Sequence, residues 1–322
     1  MILKKGFASK YLEDVNAGRI KQGLDIGCAL DNHLRFKRGT MNVVLGHDNV
    51  GKTAWIMWYF LCLSVKHGMK WCVWSGENEA HQLMRDLITM YKGQRVQDMN
   101  IADVYNYDQQ ISQWFDFISK DQSYTPKQLL TIFRESGADG CLIDPYTGLN
   151  RNMTYEGNYE FLNETREHCN KHKQTIYINT HSTSEANRSN RLYSGKHEWK
   201  GHLMAPMKAH AEGGQAFANR TDDFIILHRL IHHTGMKHTL MAHIAKVKDI
   251  ESGGDPTFLN SPILCGYNSG LGFVIDGVNP LTGVMDAYNQ TKQLAKHREE
   301  EEKKADEAQE KLDLEEDSGL PF

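Results

Sequence analysis

Residues Gly46, His47, Asp48, Asn49, Val50, Gly51, Lys52 and Thr53 spell Gly-x4-Gly-Lys-Thr, and their flanks suit a loop of that kind. An apolar run from Met41 to Leu45 reads as a buried strand leading in, and Ala54 to Val65 reads as an apolar helix leading out. A strand, a glycine-bearing turn and a helix N-terminus together form a phosphate cradle. Backbone N–H groups of such a loop face a β-phosphate, the Lys52 ammonium reaches the β- and γ-phosphates, and the Thr53 hydroxyl ligates Mg²⁺. The run therefore predicts a site for ATP, or another nucleoside or deoxynucleoside triphosphate, with Mg²⁺.

The 322 residues suffice for one large α/β domain or two small ones, and 40% hydrophobic with 24% charged residues is ordinary for a globular chain. A formal net charge of −4 gives no global attraction to nucleic acid, so any such contact must come from local basic loops. The 6 cysteines are scattered without Cys-x-x-Cys spacing, which suits reduced core residues better than a disulfide framework or zinc site. No apolar stretch near the N-terminus reads as a signal peptide, and none is long enough to span a membrane. A cytoplasmic location is the expectation.

Further strands are expected at 70–74, 140–144, 175–179, 223–229 and 239–245, with a late hairpin over 263–267 and 272–275. Helices are expected after Glu79 (Leu83, Leu87, Ile88 and Met90 at helical spacing), from Pro126 to before Gly137, and over 159–172. Residues 92–125 are polar and read as irregular helical excursions, and 182–212 as a long loop. The alternation predicts a mostly parallel α/β sheet with helices on both faces and antiparallel strands at one edge. Three stretches follow: a leading or linker segment over 1–38, the nucleotide-binding core over 39–288, and a charged tail over 289–322 that ends in acidic residues and Leu320-Pro321-Phe322.

Hydrolysis needs a metal anchor and a group that orients water. Asp144 ends an apolar strand, at the sheet edge where ligands bind in open α/β folds, and can hold the hydration shell of Mg²⁺. Glu77 follows the strand Lys70–Trp74 and can polarise the attacking water, with Glu79 as its competitor. His181, at the tip of the strand ending Ile178-Asn179-Thr180, can touch a γ-phosphate. The order is phosphate loop, glutamate after the adjacent strand, aspartate strand, polar strand tip.

That order resembles the RecA/DnaB superfamily, and within it the ring-forming replicative helicases, most closely the helicase half of the Twinkle and phage primase-helicase group. The similarity spans about residues 39 to 280. WCVWSGENEAHQLMRDL resembles the family's catalytic-glutamate strand and the following arginine-bearing helix, here Glu77 and Arg85. CLIDPYTGL resembles the metal-binding strand, and TIYINTHS the sensor strand with His181 at its tip. MAPMKAHAEGGQAFANRTDDFIILHR resembles the segment whose loop grips single-stranded DNA in the central channel, which makes Lys208, Gly213, Gly214, Gln215 and Asn219 candidate contacts. HIAKVKDIESGGDPT resembles the element whose Lys-x-Arg pair reaches the neighbouring subunit's nucleotide. Here the pair is Lys246 and Lys248, a departure, because lysine lacks the planar fork of an arginine finger. Arg229 is the alternative source of that charge.

The resemblance implies an ATP-hydrolysing helicase that assembles as a hexameric ring on single-stranded DNA during DNA replication, in a phage or its bacterial host. It implies a primase and polymerase as partners, with the Leu-Pro-Phe tip as a docking tail. A filament-forming recombinase or annealing ATPase, and a non-motor ATP switch, are the rival readings. Arg188, Arg191, Lys196 and Lys200, interleaved with Tyr193 and Trp199, form a basic and aromatic stretch suited to a single strand.

Overall fold

The computed structural model describes residues 23–281 except Met153 and Ser269, together with the isolated positions Ser9, Leu12, Glu13 and Ala17. The boundary expected at 288, the charged tail and its Leu-Pro-Phe tip lie outside the described residues.

A 9-stranded sheet organises the chain. In chain order its strands are β1 (Met41–Gly46), β2 (Trp71–Ser75), β3 (Phe115–Phe117), β4 (Gly140–Asp144), β5 (Thr175–His181), β6 (Asp223–Arg229), β7 (Thr239–Lys246), β8 (Ile263–Tyr267) and β9 (Phe273–Ile275). Across the sheet they run β3-β2-β4-β5-β1-β6-β7-β8-β9. Pairing is parallel from β3 to β6 and antiparallel from β6 to β9. This is the mostly parallel sheet with an antiparallel limb that the alternation predicts. Two readings need correction. β3 falls in the stretch read as irregular, because three residues at a sheet edge are too short to show a period. The strand preceding Glu77 is next to the phosphate-loop strand in sequence only, since β4 and β5 lie between them in the sheet.

Helices cover both faces. On one face lie α1 (Lys52–His67), α2 (Ala80–Lys92) and α3 (Ile101–Ile111); on the other lie α4 (Pro126–Ser136), α5 (Tyr155–His172) and the short α6 (Gln215–Arg220). A last turn, α7 (Ile250–Gly253), precedes β8. Helix α1 is apolar on almost every side because it sits against the sheet's centre under the antiparallel limb, with Trp55, Trp58, Tyr59 and Phe60 fully buried. Phe60 stacks on Trp71 of β2 at 3.7 Å between ring centroids. Opposite Trp71 in the β2–β4 register stands Gly140, where a Cβ would come within 2.4 Å of the indole. Helix α4 has the expected ends: Thr125 and Gln128 form a capping box, Pro126 opens the first turn, and Gly137 closes it in the left-handed region. Helix α5 begins at Tyr155, ahead of the expected start, because Thr154 caps the N–H of Gly157.

Residues 23–38, read as part of a leading segment, belong to the folded core. Leu30, Leu34 and Phe36 are buried, and Gly23 and Arg35 donate backbone hydrogen bonds to Ser252 and Gly253. Lys37 forms a buried 2.8 Å ion pair with Asp223 at the start of β6. Residues 182–212 contain only single 3₁₀ turns and isolated bridges, as a long loop would.

Candidate active site

Parallel strands aim their C-terminal ends at one edge of the sheet, and β1, β2, β4 and β5 carry their polar tips there: Gly46, Ser75, Asp144 and His181. Gly46 is obligatory, because a Cβ there would stand 2.7 Å from the Leu227 carbonyl and 2.8 Å from Val50. Asn49 (φ 58) and Gly51 (φ 97) both take left-handed backbone, which turns the loop into the first turn of α1.

Beside the loop opens a cleft of about 530 Å³. Its walls include Asp48, Lys52, Thr53, Glu77, Asp144 and His181. Lys52 is buried and donates to the carbonyls of Gly46 (3.2 Å) and His47 (3.0 Å). Burial lowers its ammonium pKa, opposed by the negative charge of Asp144, Asp48 and Glu77. Such an ammonium, held by weak carbonyl acceptors, is ready to exchange them for phosphate oxygens.

Asp144 is 2% exposed and fully committed. Its Oδ2 accepts from Thr53 Oγ1 at 2.8 Å and from Ser75 Oγ at 3.4 Å, and its Oδ1 accepts from Asn179 Nδ2 at 2.8 Å. Burial raises its pKa, countered by the hydrogen bonds from Asn179 and Thr53. The Thr53 hydroxyl and the Asp144 carboxylate are adjacent hard oxygen donors, the set Mg²⁺ takes alongside phosphate and water, so the residues fit that ion. Ser75 and Asn179 were not singled out from the sequence. Their signal was present in polar residues closing otherwise apolar strands, where burial would be costly without a partner.

His181 bridges the two sides of the cleft. Nδ1 lies 2.8 Å from Asp48 and Nε2 3.3 Å from Glu77, with Lys52 Nζ at 3.4 Å. The structure thus brings Glu77 to the cleft, while Glu79 caps α2 and pairs with Lys120 at 2.7 Å. Arg85 pairs with Asp86 on the surface.

Arg229, Lys246 and Lys248 are not among the residues that line this cleft. Arg229, at the end of β6, donates to the Asn49 carbonyl at 2.6 Å and stands 5.7 Å from the Tyr267 ring. It braces its own phosphate loop. Lys246 and Lys248 occupy the opposite edge of the sheet: Lys246 is in register with Phe224 near the start of β6, whereas Leu227 is in register with Gly46. Three strand residues separate those levels, roughly 10 Å, and Lys248 lies further still. Lys246 donates to the carbonyls of Ala218 and Asn219 and so caps the C-terminus of α6. Lys248 is 65% exposed, with a 3.2 Å contact to Asp222.

Among the expected DNA contacts, Lys208 donates to the Ala245 carbonyl at 3.4 Å, and Gly213 is held by Asn158 Nδ2 at 2.8 Å. Gly214 (φ 87) precedes α6, on which Gln215 and Asn219 are exposed. Tyr193 stacks on His197 at 4.2 Å, with Trp199 edge-on at 5.3 Å, beside Lys196 and Lys200 in sequence. No helix among the described residues is long and apolar enough to cross a membrane.

No protein-family model matches the sequence, and no curated protein matches it significantly. Solved structures do. An ATPase domain matches with a TM-score of 0.64 at 13% identity, over 83% of this chain and 96% of its own. A DnaB-like replicative helicase, solved for its interactions with primase, matches with a TM-score of 0.65 at 12% identity, over 85% of this chain and 67% of its own. A KaiC-like protein from Pyrococcus horikoshii matches with a TM-score of 0.52 at 14% identity, over 80% of this chain and 97% of its own. At such identities the likeness carries the fold alone, which this chain shares with the ATPase domain and the DnaB-like helicase.

Proposed function

We propose that this chain is an ATP-hydrolysing motor that assembles as a ring, hexameric by analogy, moves along single-stranded DNA and separates duplex ahead of it. One observation carries the reading: Lys52, the Thr53–Asp144 pair and the Glu77–His181 pair converge on one cleft at the C-terminal sheet edge. In it the loop N–H groups and Lys52 would bind the triphosphate, and Thr53 and Asp144 would hold Mg²⁺, which would supply positive charge against the charge that develops on the phosphates. Glu77 takes a proton from the attacking water, and His181 contacts the γ-phosphate.

Lys248 supplies positive charge to the nucleotide of an adjacent protomer. Support comes from its exposure and from its place on the sheet edge opposite its own cleft. Lys246 positions α6, whose Gln215 and Asn219, with Lys208 and the Gly213–Gly214 turn, face the single strand. The Tyr193–Trp199 stretch and its lysines extend that contact by stacking and charge. The finer expectations belong to the same proposal: a phage replication setting, the host cytoplasm, and primase or polymerase as partners.

The test combines ATP turnover, with and without single-stranded oligonucleotide, with the mass of the assembly. The motor reading expects closed multimers and turnover raised about tenfold or more by the strand. Monomers whose turnover ignores the oligonucleotide would end it, and open filaments would favour the recombinase reading.

A further inference from the structure

His47 is variable by motif, one of the four unspecified positions between the loop's glycines, yet both nitrogens of its ring have hydrogen-bond partners outside the loop. It is 7% exposed. Nε2 lies 3.0 Å from the carbonyl oxygen of Met204, and Nδ1 lies 3.0 Å from the hydroxyl of Ser182. A carbonyl only accepts, so Nε2 carries a proton and donates to Met204, while Nδ1 and the Ser182 hydroxyl share a second hydrogen bond. Both ring nitrogens are thereby used, on two points of the 182–212 segment that are far apart in sequence. An apolar residue would fill the same space without making either bond.

The same residue touches the catalytic lysine through its backbone, because the His47 carbonyl accepts from Lys52 Nζ at 3.0 Å. A triphosphate draws on N–H donors of the same ammonium, so nucleotide at Lys52 bears on the peptide on which the His47 ring is mounted. Ser182 directly follows His181 and pairs with Ala211, and the His181 carbonyl accepts from the Glu212 N–H. A shift at either ring contact therefore reaches the chain just ahead of Gly213.

We propose that His47 is a positioning residue that ties the phosphate loop to the 182–212 segment, so that triphosphate at the loop rearranges that segment. The inference rests on the nucleotide reading above but not on DNA being the segment's ligand. It assigns to one loop side chain the coupling between two sites, which requires an element with two arrangements that both sites bias.

The experiment is amide hydrogen exchange on the full chain, with and without Mg²⁺ and a non-hydrolysable ATP analogue, at saturation for each variant. In the wild type, nucleotide protects 46–53 and changes exchange in 182–212 by roughly threefold or more. His47→Leu keeps protection at 46–53 and loses the response in 182–212. Ser182→Ala, a milder change at a surface-proximal site, reduces that response by about half. His47→Gln, which restores a donor to Met204, recovers part of it. A 182–212 segment indifferent to nucleotide in the wild type, or fully responsive in His47→Leu, overturns the coupling. Absence of protection at 46–53 itself removes the nucleotide reading, and this coupling with it.

Discussion

The two edges of the sheet hold their charges differently. At the C-terminal edge, Lys52 and Asp144 are buried and hydrogen-bonded, Lys52 to the Gly46 and His47 carbonyls and Asp144 to Thr53 and Asn179, with His181 3.4 Å from Lys52. At the opposite edge Lys248 stands 65% exposed over Asp222, at the rim of a cleft that Lys37, Arg38, Thr40 and Ser252 also line. The first arrangement is closed within one chain; the second leaves the Lys248 ammonium facing solvent. Surface ion pairs contribute little to stability, so Lys248 lacks a strong folding role that would explain it.

The largest effect that sharpens this contrast is expected from Lys52→Ala, which removes the buried ammonium and lowers turnover about 10³-fold with the fold intact. Steady-state ATP hydrolysis together with circular dichroism checks it. Glu77→Gln follows at about 10²-fold or more, with nucleotide affinity kept, whereas Glu79→Gln, tied to Lys120, changes turnover less than about threefold. The reverse ranking would transfer the role to Glu79.

Lys248→Ala is expected to lower turnover about tenfold or more while each protomer still binds nucleotide. Mixing Lys248→Ala protomers with Lys52→Ala protomers then creates some junctions with an intact Lys52 on one side and Lys248 on the other. Recovered turnover in the mixture, above either variant alone, marks action between protomers. A mixture no better than the sum of its parts would place Lys248 outside the chemistry and break the contrast between the edges.

The smallest effect concerns stability near the phosphate loop. His228, on β6 with its ring centroid 5.8 Å from that of His47, is driven by burial from the ordinary 6.5 down to about 3. Folded protein keeps it neutral, and unfolded chain takes up a proton below that ordinary value. Its contribution is therefore intact above pH 6.5 and is lost as pH falls toward 3. His228→Leu should make the acid limb shallower, by on the order of 2 kcal/mol between pH 6.5 and 5 relative to wild type. Urea unfolding at the two pH values measures it, and equal slopes would assign the acid sensitivity to other groups, such as His243, which burial shifts the same way.

Much of the C-terminal edge was legible because local rules reach it. The glycine-bearing loop, the apolar strands and the capped helix Pro126–Ser136 each satisfy short-range constraints that a window of residues displays. Ser75 and Asn179 were not singled out because polarity at a strand end becomes a hydrogen bond only when Asp144 arrives from another strand. β3 escaped because three residues carry no period.

By itself the chain's order of residues determined that a phosphate cradle would sit between a buried strand and a buried helix, since that geometry depends on neighbours a few positions apart. Tertiary structure alone decided which glutamate shares the cleft, that β4 and β5 separate β2 from β1, and that Lys246 caps a helix while Lys248 is left to solvent. Those outcomes depend on which strands become neighbours and on the direction each runs, and pairing across a sheet is a property of distant segments meeting.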